Sequence, residues 1–322
     1  MVVPSAFLFA MASSYFSSQL QDWLLDSDPA IRWQVLRDLC DGREEDARRE
    51  RARMNKEGWG PQLLALQQLD GLWAGLPEYG PTWRSTKDAL MLLRDFGMDP
   101  ADPAVHKAAC RVRDQVTWGE EFGDLRYFQG EVEPCINGRV LALGAYFGMA
   151  DDGLFERLLG EHLSDGGWNC AAPRSRRSSF HTTICVLEGL LEYEKAHAVS
   201  DVTRAVRQRG EEYLLERRLF RSLRTGDVID PDWLKPAFPN DWHYDILWGL
   251  DYFRRTGGSP DPRLAEAVQL VKSKQNAAGQ WVAEMSHSQD IPLAMETGFH
   301  RPSRWVTLRA LRVLKWAEAG GL

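Results

Sequence analysis

A turn of the form Gln67-Gln68-Leu69-Asp70-Gly71-Leu72-Trp73 recurs as Ser164-Asp165-Gly166-Gly167-Trp168 and as Gln275-Asn276-Ala277-Ala278-Gly279-Gln280-Trp281. The Gln is expected to end an outer helix, the Gly to take a turn geometry that a Cβ hinders, and the Trp to pack between neighbouring hairpins. Three copies in phase limit the chain to architectures assembled from one repeating unit.

The rest of the repeat surrounds these turns. Six segments open a buried run at Ala30-Ile31-Arg32-Trp33, Pro81-Thr82-Trp83-Arg84, Cys135-Ile136-Asn137-Gly138, Phe180-His181-Thr182-Thr183, Asn240-Asp241-Trp242-His243 and Pro302-Ser303-Arg304-Trp305. Each leads into an apolar helical pattern such as Leu90-Leu93-Phe96 or Val186-Leu187-Leu190. More polar amphipathic stretches lie between them, including Ala104 to Val116 and Val202 to Leu215. One buried and one half-exposed helix in each period of roughly 45 to 60 residues marks stacked helical hairpins. The pattern predicts an all-α protein of six hairpins over residues 18–322, with residues 1–17 a disordered extension and Met11 an alternative start.

These residues resemble the Q-x-x-x-G-x-W repeats of squalene and other terpene cyclases and of protein prenyltransferase β subunits. The resemblance runs from about Ser27 to Trp316 and implies an α/α toroid: an inner and an outer ring of helices, with a cavity at the N-terminal ends of the inner ones. The zinc-binding segment of the prenyltransferases, Y-H-T-x-Y-x-L-S-G-L, is similar to Phe180-His181-Thr182-Thr183-Ile184-Cys185-Val186-Leu187-Glu188-Gly189-Leu190. Their D-x-C pair, one repeat earlier, matches Glu133-Pro134-Cys135. The resemblance therefore implies Zn²⁺ ligands at Glu133, Cys135 and His181. Cys170, in the loop leading to His181, adds a second thiolate to a donor set that suits zinc.

Other features of these families are missing. No D-x-D-D stands at an inner-helix start, where this chain has Phe180-His181-Thr182-Thr183, and no basic diphosphate pattern is visible outside Arg174-Ser175-Arg176-Arg177. Full triterpene cyclases have two barrels, and 322 residues accommodate one.

The inner-helix openings also supply candidates for chemistry. Asp245 is the first choice for an acid or base, because a carboxyl on an apolar helix acquires a raised pKa. His243, Tyr244 and Glu296 follow, the last in the loop from Asp290 to His300 that leads to the final inner helix. Trp83, Asn137, Trp242, Trp248, Trp305, His300 and Arg304 are the expected substrate contacts, with aromatic faces suited to cationic intermediates. Ser85, Asn137, Thr182 and Ser303 also read as helix caps.

Three function classes are compatible with these residues. The first is a cyclase- or prenyltransferase-like enzyme acting on an isoprenoid or other apolar substrate. The second is a zinc-dependent hydrolase or lyase, and the third is a carrier of an apolar ligand. A net charge of −7 with dispersed basic residues speaks against nucleic acid. Five cysteines, an odd number without regular spacing, favour a reducing, cytoplasmic setting. No segment has the continuous apolar length of a membrane span, and self-association is compatible with the sequence.

Overall fold

The computed structural model describes residues 16–40, 44–77, 85–287, 293–295 and 300–322. Among them lie thirteen α-helices and no β-strand, only isolated bridges such as Val282 with Pro302. No described helix is long and apolar enough to cross a membrane.

Burial sorts the helices into two rings. α2 (Pro29–Asp38), α5 (Thr86–Phe96), α7 (Pro134–Phe147), α9 (Phe180–Ala196), α11 (Ile246–Arg255) and α13 (Arg304–Ala319) are the inner ones. Ten of the eleven residues of α5 and twelve of the fourteen of α7 are buried, so these helices are covered on all sides. α1 (Ser18–Leu25), α4 (Trp59–Ala65), α6 (Pro103–Gln115), α8 (Asp152–Gly160), α10 (Asp201–Glu216) and α12 (Ala265–Ser273) each precede an inner helix and bury one face. The charged α3 (Glu44–Arg53) buries only Ala47.

The ring closes where the last inner helix meets the first. Arg312 donates to Gln34 Oε1 at 2.8 Å, Lys315 to the Asp38 carbonyl at 2.9 Å, and Arg304 to the Trp23 carbonyl at 3.1 Å. Six inner and six outer helices thus form the expected α/α toroid. At the N-terminus, Phe16 packs on the core and Ser17 caps α1; residues 1–15 lie outside the described residues.

The repeated turn is one hydrogen-bonded device used three times. The indole N–H groups of Trp73, Trp168 and Trp281 donate to the carbonyls of Leu63, Leu158 and Val271 on the preceding outer helix, at 2.8, 2.8 and 2.7 Å. Their backbone N–H groups donate to Thr86, Thr183 and Thr307 on the following inner helix, at 3.1, 3.0 and 2.9 Å. Gly166, at φ 101°, is required twice over, because a Cβ there would also come within 2.6 Å of the Arg209 carbonyl on the next outer helix.

The fifth hairpin departs from this pattern. Gly249 occupies the helix position held elsewhere by Thr183 or Thr307, and the Tyr244 hydroxyl fills its space and donates to the Leu219 carbonyl at 2.9 Å. α7 and α9 approach most closely at Gly138 and Gly189, where an added Cβ would come within 2.4 Å of a backbone carbonyl of the facing helix. The inner barrel leaves a cavity at each end.

Candidate functional site

At the N-terminal ends of the inner helices lies a cavity of about 370 Å³. Glu133 stands just before α7 and Cys135 on its first turn, while Cys170 comes from the loop after Trp168. The ligating atoms of Glu133, Cys135 and Cys170 all lie within 4.8 Å of one another. Cys135 donates to the Glu133 carboxylate at 3.6 Å, and Cys170 Sγ accepts from the Thr182 hydroxyl at 3.4 Å.

The two sulfurs are electronically unequal. The hydrogen bond to Cys170 and then burial push the Cys135 thiol far up, whereas that same bond holds Cys170 below the usual thiol range. The two thiols are thus shifted in opposite directions, Cys135 towards the protonated form and Cys170 towards the thiolate. Two sulfurs and a carboxylate oxygen are donors that Zn²⁺ accepts, and tetrahedral bonds of about 2.0–2.3 Å place ligand atoms about 3.6 Å apart. A small contraction of the observed cluster reaches that spacing.

His181 lines the same cavity but stands outside this cluster. Its Nδ1 accepts a hydrogen bond from the Tyr244 backbone N–H at 2.9 Å, so the neutral ring carries its proton on Nε2. A protonated nitrogen has no lone pair for a metal. In this arrangement the ring presents a hydrogen-bond donor, and His181 does not join the three donors that lie together. Burial, and next the neighbouring His243, keep the ring below the ordinary histidine pKa and hence neutral.

An aromatic wall backs His181. Its edge meets Trp233 and Trp242 at ring separations of 5.7 and 5.2 Å, and Trp242, His243 and His287 stack in a column with 3.9 Å between successive ring centres. His243 Nδ1 is buried without a partner. His287 escaped the sequence reading, since nothing in the spacing of residues 243 and 287 signals contact.

The remaining candidates are dispersed. Asp245 is buried and caps α11, accepting from the N–H groups of Trp248 at 2.7 Å and Ala237 at 3.1 Å and from Asn240 at 2.5 Å; it lines neither cavity. Burial raises its pKa. The Tyr244 hydroxyl is committed to its turn. Asn137 clamps Glu131, accepting from its N–H at 2.8 Å and donating to its carbonyl at 3.1 Å. Arg304 covers Trp23 at the ring closure, and His300 is exposed, its N–H donating to the Ala283 carbonyl. Trp83 and Glu296 lie outside the described residues.

The positive charge of this cavity was also not legible in the sequence. Arg174, Arg176 and Arg177 are exposed, and the cations lining the cavity are Lys87, paired with Asp241 at 2.7 Å, and Arg139, paired with Glu188 at 2.7 Å. Arg139 also covers the face of Trp248 at 4.2 Å.

Trp248 and Trp305 belong to the other end of the barrel. They line a second cavity of about 460 Å³, reached from the C-terminal ends of the inner helices. Glu188 divides the two spaces, taking Arg139 from one side and Arg255, at 2.5 Å, from the other.

No protein-family model matches this sequence, and no curated protein does. Among solved structures the chain is similar to the type II terpene cyclase MstE from Scytonema, with 16% identity over 91% of this chain and 86% of that one and a TM-score of 0.44. A variant of that cyclase in complex with merosterolic acid A gives 15% identity, 91% and 86% coverage and a TM-score of 0.45. A protein from Actinoplanes gives 15% identity, 91% and 90% coverage and a TM-score of 0.44.

Proposed function

We propose that the cavity at the N-terminal end of the inner ring is the working site of a small-molecule enzyme that acts on an isoprenoid or similarly apolar substrate with one Zn²⁺. The observation that carries this reading is the convergence of Glu133, Cys135 and Cys170 on a cavity that also receives His181. Bound there, zinc supplies Lewis acidity, polarising an oxygen or sulfur of the substrate or activating a water.

The chain's own residues account for the rest. Binding the metal requires both thiols to lose their protons, which the lowered pKa of Cys170 favours. Ile136, Ala171 and Trp242 provide apolar surface for the substrate. His181 offers its Nε2 proton, the ring being oriented by the Tyr244 amide, and can protonate a leaving or developing anion. Lys87 and Arg139 place positive charge beside that group.

Elemental analysis of protein purified without added metal is expected to give about one zinc per chain, falling to near zero in a Cys135→Ser, Cys170→Ser double variant. Solvent extraction followed by mass spectrometry should release an apolar ligand or product from the wild type. Protein that stays metal-free after reconstitution with zinc would rule out the metal-assisted reading. Ligand without turnover would then assign the cavity to a carrier.

A further inference from the structure

The second cavity has a composition that no hydrophobic substrate needs. Eight basic side chains line it against four acidic ones, and a fifth acid, Asp38, pairs with Arg37 and Arg312 just outside. Three positive charges thus remain in excess around a cavity that opens to solvent, with Arg37 and Lys195 at its exposed rim and Arg94 and Arg312 buried in its wall. Burying like charges is costly unless counter-charge is supplied, and folding alone has not supplied it here.

The unused donors locate the deficit. Arg94 and Arg312 expose only 7% and 8% of their side chains, yet Arg94 Nη1 and Arg312 Nε are buried without a hydrogen-bond partner. Their other nitrogens are engaged, Arg94 with Asp95 at 3.1 Å and Arg312 with Gln34 at 2.8 Å. Burial drives the Arg312 guanidinium down to about 10 despite Asp38, and Arg254 beside it pushes the same way. Native structures rarely leave such groups unsatisfied.

The floor of the cavity is aromatic. Along α13, Trp305, Arg309 and Arg312 follow one another on successive turns, so this wall passes from apolar to cationic towards the C-terminal face. Phe238 stacks on Trp305 at 4.5 Å, with Trp248 also lining the space. Lys195 stands at the C-terminal end of α9 with 45% of its side chain exposed.

We propose that this cavity binds a small anion of the phosphate or carboxylate class carried on a flat apolar ring, with the ring against Trp305, Phe238 and Trp248 and the anionic group among Arg94, Arg309 and Arg312. The excess charge would then be neutralised by charge-assisted bonds from the guanidinium groups that line the cavity, with Arg94 Nη1 and Arg312 Nε just behind the wall adding to its positive potential. This reading is independent of the zinc site, which lies on the other side of Glu188.

The test is calorimetric titration of the full-length protein with phenyl phosphate, benzoate and inorganic phosphate at constant ionic strength. One saturable site is expected for an aromatic anion, with inorganic phosphate weaker by about tenfold or more because it leaves the floor unused. The tighter of phenyl phosphate and benzoate identifies the anionic group. Arg309→Gln should weaken binding about tenfold and Lys195→Gln somewhat less, both with unchanged zinc content. If Arg309→Gln fails to fold, Arg309→Lys, which keeps the charge and loses the planar guanidinium, decides and should also weaken binding. The proposal is overturned if neither aromatic anion binds saturably, or if correctly folded variants bind as tightly as the wild type.

Discussion

The two ends of the inner barrel solve opposite electrostatic problems. At the N-terminal end, burial lowers the pKa of three histidines and raises that of the Cys135 thiol, which favours their neutral forms. At the C-terminal end charge is abundant: Glu188 is held far below the carboxylate range because Arg94, Arg255 and Arg139 outweigh the cost of its burial. Asp38 is likewise held down to about 2 by Arg312 and Arg37, against the effect of burial. The contrast shows that one ring of helices can carry two cavities in series, one with few paired charges and neutral histidines beside it and one crowded with arginines, with an ion cluster around Glu188 as the wall between them.

Removing that wall should have the largest effect. Glu188→Gln leaves Arg94, Arg139 and Arg255 buried around a neutral amide, and a loss of about 3–5 kcal/mol in stability is expected from denaturant unfolding. A variant as stable as the wild type would mean that the two cavities are not held apart by this carboxylate.

Asp245→Asn comes next and separates capping from chemistry. Its amide nitrogen would face the donors of Ala237 and Asn240, at an expected cost of about 1–3 kcal/mol, with zinc binding unchanged. If the variant unfolds normally but loses turnover once an activity is known, Asp245 acts in the reaction and its role as a cap is secondary.

Titration separates the two ends without mutation. Burial, and then His243, lower His287 to about 4, and burial lowers His181 and His243 as well. The unfolded chain therefore binds these protons more readily than the folded one, and stability is lost as pH falls from about 6.5 towards 4. Asp38 and Glu188 are shifted below their unfolded values, so their contribution is complete above about pH 4.5 and disappears below it. Thermal unfolding across this range should show two successive declines. His287→Gln should flatten only the upper one.

The smallest effect is expected at the arginine run. Replacing Arg176 and Arg177 by Gln should change stability by less than about 0.5 kcal/mol and leave anion binding intact, since both side chains are exposed and line neither cavity. A marked loss of anion affinity would return the anion site to this loop and undo the contrast between the two ends.

Local pattern marked the repeated helical hairpins, while the closure of the ring was implied only by the family resemblance. The 3.6-residue periodicity and the phased turns of Trp73, Trp168 and Trp281 depend on contacts within one hairpin, so most helices and their order were legible residue by residue; the first outer helix, Ser18–Leu25, was not, and the charged run at Glu44–Arg53 is an additional helix outside the two rings. The sequence also marked Glu133 and Cys135 as neighbours and Cys170 as a nearby donor. Tertiary structure decided what side-chain periodicity does not encode: the end of the barrel a residue faces and the partner that claims its polar atoms. Trp305 lies near the start of its helix, yet together with Trp248 it lines the opposite cavity. Asp245 and Tyr244 are taken up by capping and by the irregular fifth turn. A backbone amide 63 residues away sets the tautomer of His181. The cationic cavity is built from side chains on five inner helices and on α3, most of which alone read as ordinary ion pairs; their shared excess of charge arises only when the ring closes and brings them together.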